Sequence, residues 1–282
     1  MNRLERVGFK SRAPRCNIYS SCPSYLEKVC VLFHMEFVVI FCILIFAGLI
    51  KGLVGFGEAI IGVSLISLIL SPQEAVILMI IPVMVSNMSL VREVEPDTME
   101  NLVSNNRVLI SSILGGTVLG MFFLGTVSSN LLSPIIGTIM VLYSVVKFRG
   151  LNLHLTYFHQ IPGKVRSFLA FLLGSLGGFI FGSTSIGALI VIYFEYLELP
   201  RKKFLGILGF VFLLISIVRI GFSYYLGYYT ESSILYLSAM ASIPVFIGVN
   251  IGKYIGEENS NELHKELVLL LFLVIGLRLL LV

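Results

Sequence analysis

From Met35 to the last residue, the chain is a succession of apolar runs separated by short charged or turn-forming stretches. About 20 apolar residues of α-helix cross a bilayer, with roughly 17–25 tolerated. Runs of that length constrain the fold more than any other feature, because backbone polar groups in hydrocarbon must be satisfied within the segment itself. Full-length runs lie at 74–91, 107–125, 131–148, 203–226, 233–253 and 263–282. Two longer regions, 36–70 and 166–199, are interrupted by glycines, at Gly52, Gly55 and Gly57 and at Gly178, Gly182 and Gly187. Each reads either as two short spans or as two half-helices meeting inside the membrane, since glycine lets backbone leave the helix where protein neighbours satisfy it. The chain is 57% hydrophobic and 13% charged, against about 45–50% and 25% for a soluble domain. The expectation is an all-α, polytopic helix bundle in the cell membrane.

The net charge of +4 comes from 20 Lys+Arg and 16 Asp+Glu. Residues 1–34 hold six of the basic groups and two of the acidic ones, which leaves 14 of each in the rest of the chain. The surplus therefore belongs to one polar segment and is no nucleic-acid surface. That segment has no amphipathic period and no apolar core of the kind a signal peptide needs. We expect Met35 to be the native start, the alternative being a disordered polar tail. Cys16, Cys22, Cys30 and Cys42 match neither zinc spacing nor a CxxC pair, so no metal site or disulfide framework is expected.

Comparison of the chain with itself exposes an internal repeat. A shift of 130 positions puts Gly48, Gly52 and Gly57 on Gly178, Gly182 and Gly187 without a gap, and Ser86 on Ser216. A shift of 132 takes Gly116 and Gly120 to Gly248 and Gly252; for these four, close helix packing is the expected role. The organisation that follows is a polar tail at 1–34, repeat 1 at 35–148, a linker at 149–165 and repeat 2 at 166–282. Each repeat is a broken pair followed by three spans. If the 92–106 loop is cytoplasmic and each broken pair crosses zero or two times, every Lys and Arg from Arg92 to Lys265 except Arg219 falls on the cytoplasmic side, as charge bias requires. An odd number of crossings per repeat then makes the halves inverted, as in many secondary transporters. The same topology gathers Tyr224, Tyr225, Tyr228 and Tyr229 at the outer interface.

Several chemistries are excluded. Asp97 is the single Asp of the chain, so no aspartyl dyad exists; no HExxH and no P-loop occurs. Neither an enzyme nor a cofactor is expected. What remains is a set of polar groups at mid-membrane depth near the two breaks: Lys51, Glu58, Asn87, Ser183, Thr184, Ser185 and Arg219. Intramembrane charge is expensive and usually lines a pathway. Glu58 opens the helix after the first break, where it serves as a cap or as a proton-coupling carboxylate. Lys51 either snorkels or pairs with Glu58, or offers its charge to an anion; Arg219 pairs with Glu195, faces the bundle interior or snorkels outward. The half-helices starting near Gly57 and near Ser185 and Gly187 would aim free N–H groups and positive dipole ends at the midplane, bracketing one anion. The hydroxyls of Ser183, Thr184 and Ser185 would add donors there or merely cap.

The segments GLIKGLVGFGEAIIGVSLISLILSPQEAV and GSLGGFIFGSTSIGALIVIYFEYLELPRKKF carry a resemblance to the TauE/SafE family of membrane transporters, known for sulfite and organosulfonate export. Both have an early helix, a Gly-rich break, a short helix, a Pro near its end and a long span. Where that family commonly has consecutive glycines, this chain has Glu58 after Gly57 and Ser183-Thr184-Ser185 in the second cluster. The resemblance implies transport of a small, often sulfur-containing anion without a bound cofactor. The competing expectation, from a different class, is a non-transporting membrane scaffold whose glycines serve packing alone.

Overall fold

In the computed structural model, which describes residues 24–92, 96–149, 163–195, 200–229, 232–258 and 262–281, the apolar runs become helices. Among the described residues there are twelve helices and no strand. The chain divides into two compact units between Val38 and Val39. The described part of the first is the leading stretch of α1 (Ser24–Val54), a helix that runs through Met35 without a break. The second unit, Val39–Val282, is the bundle. Among the described residues six stretches are long and apolar enough to cross a membrane: Pro72–Val91, Arg107–Thr126, Asn130–Phe148, Ser167–Thr184, Lys203–Tyr225 and Ile234–Gly256. The last expected run, 263–282, forms α12 (Glu262–Leu280), whose apolar stretch within the described residues is the shorter Leu269–Leu280.

Each half opens with a broken helix. After α1 come α2 (Glu58–Ile66), α3 (Pro72–Leu78) and α4 (Ile80–Val91), the last two joined through Met79 into one apolar stretch. A capping box between Ser71 and Glu74 starts α3, with Pro72 at its first position. Next stands α5 (Pro96–Asn105), in the segment expected to be a loop. Its Met99, Leu102 and Val103 recur at helical spacing, which the charges around them concealed. Then come α6 (Arg107–Thr126) and α7 (Ser129–Phe148). Most of the 149–165 linker lies outside the described residues. The second half runs α8 (Gly163–Thr184), α9 (Ala188–Glu195), α10 (Arg201–Tyr225), α11 (Ser232–Glu258) and α12.

Glycine seams hold the bundle together. A side chain on Gly48 or Gly52 of α1 would meet the carbonyl oxygens of Val245 or Val249 of α11, while one on Gly248 or Gly252 would meet those of Ile45 or Leu49. The same reciprocity joins α6 to α8: Gly116 and Gly120 lie on Ser175 and Phe179, and Gly178 and Gly182 on Ile113 and Thr117. Backbones approach this closely in membranes because small residues permit it. Gly52, Gly178 and Gly182, expected to interrupt their helices, instead sit inside them as packing residues. The outward faces are apolar, with Leu119, Leu142, Phe168, Leu176 and Ile243 exposed, whereas Ser86, Asn87, Thr117, Ser144 and Ser216 are buried. That inside-out polarity suits a hydrocarbon surround.

Candidate functional site

The interruptions themselves fall at Gly55–Gly57 and Ser185–Gly187. Helix α1 ends when Gly55 turns left-handed, at φ 95°, while its N–H still donates to the Lys51 carbonyl at 2.6 Å. Gly57, at φ 98°, redirects the chain into α2. In the second half Ser185 adopts φ 63° and its N–H donates to the Phe181 carbonyl at 2.8 Å. Gly55 and Ser185 are themselves related by the 130-residue shift. Among the described residues Ser185 is the one non-glycine with positive φ, a conformation that costs an L-residue about 1–2 kcal/mol. The following half-helix begins at Ala188, a few residues later than the expected start near Ser185.

Both breaks open onto one cavity of about 30 Å³. A water needs about 10–15 Å³ on this measure, so the space holds water-sized guests. One wall is Lys51 with the first turn of α2, Gly57 to Ile60; the facing wall is Phe181, Ser185, Gly187 and Phe212. The two breaks, far apart in sequence, therefore meet at one cavity.

Lys51 and Glu58 pair across the first break, Nζ to Oε2 at 2.7 Å, with side chains only 3% and 1% exposed. The ammonium also donates to Ser86 Oγ and Asn87 Oδ1, each at 2.6 Å, so its three protons each have an acceptor. Ser86 in turn hydrogen-bonds Glu58 Oε2 at 2.5 Å. Lys51 thus pairs rather than snorkels. Ser86, which entered the sequence reading only through its repeat partner Ser216, is a full member of the network. Three buried polar atoms at or beside the cavity have no hydrogen-bond partner among the described residues: Glu58 Oε1, Asn87 Nδ2 and Ser185 Oγ.

The serine cluster divides. Ser183 donates to the carbonyls of Phe179 and Ile180, at 2.9 and 3.2 Å, and Thr184 donates to Ile180 at 2.7 Å while accepting from the Ile186 N–H. Their protons are committed to their own helix and the break, so of the three hydroxyls only Ser185 is left over.

Arg219 stands behind the aromatic wall. Its guanidinium carbon is 5.3 Å from the centroid of the Phe181 ring, within cation–π range, and Phe181 stacks on Phe212 at 5.1 Å. The side chain is 1% exposed, and Nε and Nη2 have no hydrogen-bond partner among the described residues. The expected partner, Glu195, has a side chain outside the described residues. Ser223, one turn along α10, is likewise buried with an unpartnered hydroxyl.

The tyrosines do not form one belt. Tyr224 and Tyr225 are 70% and 80% exposed, as an interface requires, but Tyr228 donates to the Met121 carbonyl at 2.8 Å and Tyr229 is buried. In the turn after α10, burial pushes the Tyr229 phenol up to about 12, with Arg219 and a hydrogen bond with Ser238 pulling the other way. Among the described residues no His, Cys, Asp and Glu group is arranged to hold a metal ion.

No curated protein and no solved structure matches the chain. A family model described as Sulfite exporter TauE/SafE matches residues 40–279, a span that takes in both breaks, the Lys51–Glu58 network and Arg219, and the chain therefore belongs to this family of membrane transporters for sulfite and related anions.

Proposed function

We propose that the cavity between the two breaks is the substrate site of a secondary transporter for a small anion of the sulfite and sulfonate class, and that two inverted repeats alternate around it. The observation that carries the reading is charge. Two fully buried cations, Lys51 and Arg219, stand against one buried carboxylate, Glu58, among the described residues. A buried surplus of positive charge inside a membrane bundle favours anions in the space beside it. The starts of α2 and α9 add free N–H groups and positive dipole ends on opposite sides of the same space.

Packing supports the repeats. Exchanging the two halves carries the α1–α11 seam onto α8–α6 and the α4–α11 contact onto α10–α6, and it leaves α4–α10 and α7–α12 in place. A cytoplasmic position for the basic end is supported by the helix termini on which Arg92, Arg107, Lys147 and Arg201 fall. Lys253 also reaches the Ser89 carbonyl at 3.3 Å, one turn from Arg92. The cavity as it stands has room for water-sized guests, and binding an anion of the sulfite class requires the two walls to part.

The test is flux. The purified chain, reconstituted in liposomes, is expected to carry labelled sulfite in a saturable manner, with thiosulfate and methanesulfonate competing and acetate competing less. Equal leak from protein-free and protein-bearing liposomes for every anion would refute the reading.

A further inference from the structure

We infer that Glu58 is an internal anion parked on Lys51, that substrate takes over as the counter-charge of Lys51, and that each bound monoanion is accompanied by one proton on Glu58. The inference rests on the reading of the cavity as the substrate site. Its first support is that Lys51 is already saturated: Glu58, Ser86 and Asn87 use its three protons. While Glu58 is ionised the pair is neutral, and an anion entering at the start of α2 would meet a carboxylate beside it. Like charges so placed inside a low-dielectric site disfavour one another strongly.

The second support is the inequality of the two carboxylate oxygens. Oε2 accepts from Lys51 and Ser86, whereas Oε1 is buried, unpartnered and part of a residue that lines the cavity. A proton delivered from bulk water onto Oε1 leaves the Oε2 contacts in place. It removes the negative charge and leaves the pair with one positive charge. A monoanion then restores the neutrality of the pair, with Ser185 Oγ on the cavity wall as an unused donor. When the anion departs the proton returns to water, so no bond within the substrate changes.

Among the described residues the surroundings contain no rival titrating carboxylate. Glu58 is faced by Lys51 from α1, by Ser86 and Asn87 from α4, and across the cavity by Phe181, Ser185 and Phe212. From α7, Tyr143 reaches the neighbouring Phe56 edge-on; α12 presents Phe272 to Gly57. On α3, Glu74 is engaged with Ser71 in its capping box. Arg219 lies behind Phe181 and keeps its charge throughout.

Methanesulfonate is the suitable probe, because it remains a monoanion from about pH 5 to 8 and any pH dependence belongs to the protein. Calorimetry on the purified full chain is expected to show affinity rising by up to about tenfold for each unit that pH falls, as one linked proton requires. Binding heats compared in buffers of different ionisation enthalpy should report uptake of one proton per anion. Glu58→Gln should abolish the slope and bind at least about tenfold tighter than wild type at pH 8, where wild type retains its internal anion. A flat wild-type profile, a slope that persists in Glu58→Gln, or a folded Glu58→Gln that binds more weakly at pH 8 would overturn the inference. Should that variant not fold, proton uptake by wild type decides alone: one proton supports the inference and none defeats it. Absence of methanesulfonate and sulfite binding at every pH would instead bring down the cavity reading, and this inference with it.

Discussion

Removing Lys51 should destabilise the protein in a manner set by Glu58. The Lys51–Glu58 pair is almost wholly buried, and breaking such a pair by deleting one partner costs about 3–5 kcal/mol, because the other charge is left uncompensated. An independent bound comes from the escape open to the protein, which is to hold the orphaned carboxyl neutral. At pH 7 that costs about 3.7 kcal/mol relative to a glutamate in water, and at pH 5 about 1 kcal/mol. The two estimates agree near neutrality. Lys51→Met should therefore lower stability by about 3–4 kcal/mol at pH 7, a shift of melting temperature on the order of 10 °C, with the deficit shrinking to about 1 kcal/mol at pH 5. The double variant Lys51→Met/Glu58→Gln should recover about 2–3 kcal/mol of that loss, since Met and Gln fill similar space and carry no charge. The measurement is thermal unfolding of the four proteins of the cycle in detergent at both pH values. A single variant as stable as wild type at pH 7, a deficit that does not narrow in acid, or a double variant no better than Lys51→Met would each show that the pair does not hold the first break.

Three further predictions follow from the packing and the cavity. Ser185→Gly should relieve the left-handed serine and raise stability by up to about 1–2 kcal/mol while lowering sulfite affinity, whereas Ser183→Ala should leave affinity unchanged; thermal shift and binding isotherms on the same preparations separate the two. Arg219→Met should also raise or preserve stability, because it removes a buried, incompletely hydrogen-bonded charge, yet weaken sulfite binding tenfold or more; an unaltered dissociation constant would remove Arg219 from the site. Gly116→Ala should cost about 1–3 kcal/mol through the contact of its new methyl with the Ser175 carbonyl. Its neighbour Gly115, where nothing lies within 4 Å of an added methyl, should accept Ala with a gain of up to about 1 kcal/mol; unfolding midpoints of the pair provide the check.

What was legible in the residues and what was not divide along a physical line. Run length and apolar content alone locate the long helices to within a few residues, because in hydrocarbon each segment must satisfy its own backbone. The glycine register likewise shows a 130-residue correspondence between the two breaks, and the scarcity of intramembrane charge singles out Lys51, Glu58 and Arg219. Helix α5 was missed because its charges outweighed a short apolar period. The glycine clusters at the two interruptions contain the residues at the breaks themselves, Gly55, Gly57 and Gly187, together with Gly52, Gly178 and Gly182, which pack, since the two kinds look alike in sequence; only the neighbouring helix, Val249 of α11 or Thr117 of α6, distinguishes them.

The side-chain partnerships were decided by tertiary structure. Lys51 finds Ser86 and Asn87 across 35 and 36 residues, and Phe181 comes between Arg219 and the cavity because α8 and α10 happen to pack there. Ser183 and Thr184 turn their protons to their own helix while Ser185, in the same tripeptide, keeps its hydroxyl unpaired. Tyr229 turns inward from beside the exposed Tyr224 and Tyr225. Local sequence sets which groups are available and which backbone segments must be helical. Which hydroxyl is spent, which charge is neutralised and which glycine bends depend on the few ångströms between segments that are distant in the chain, and close packing alone determines those distances.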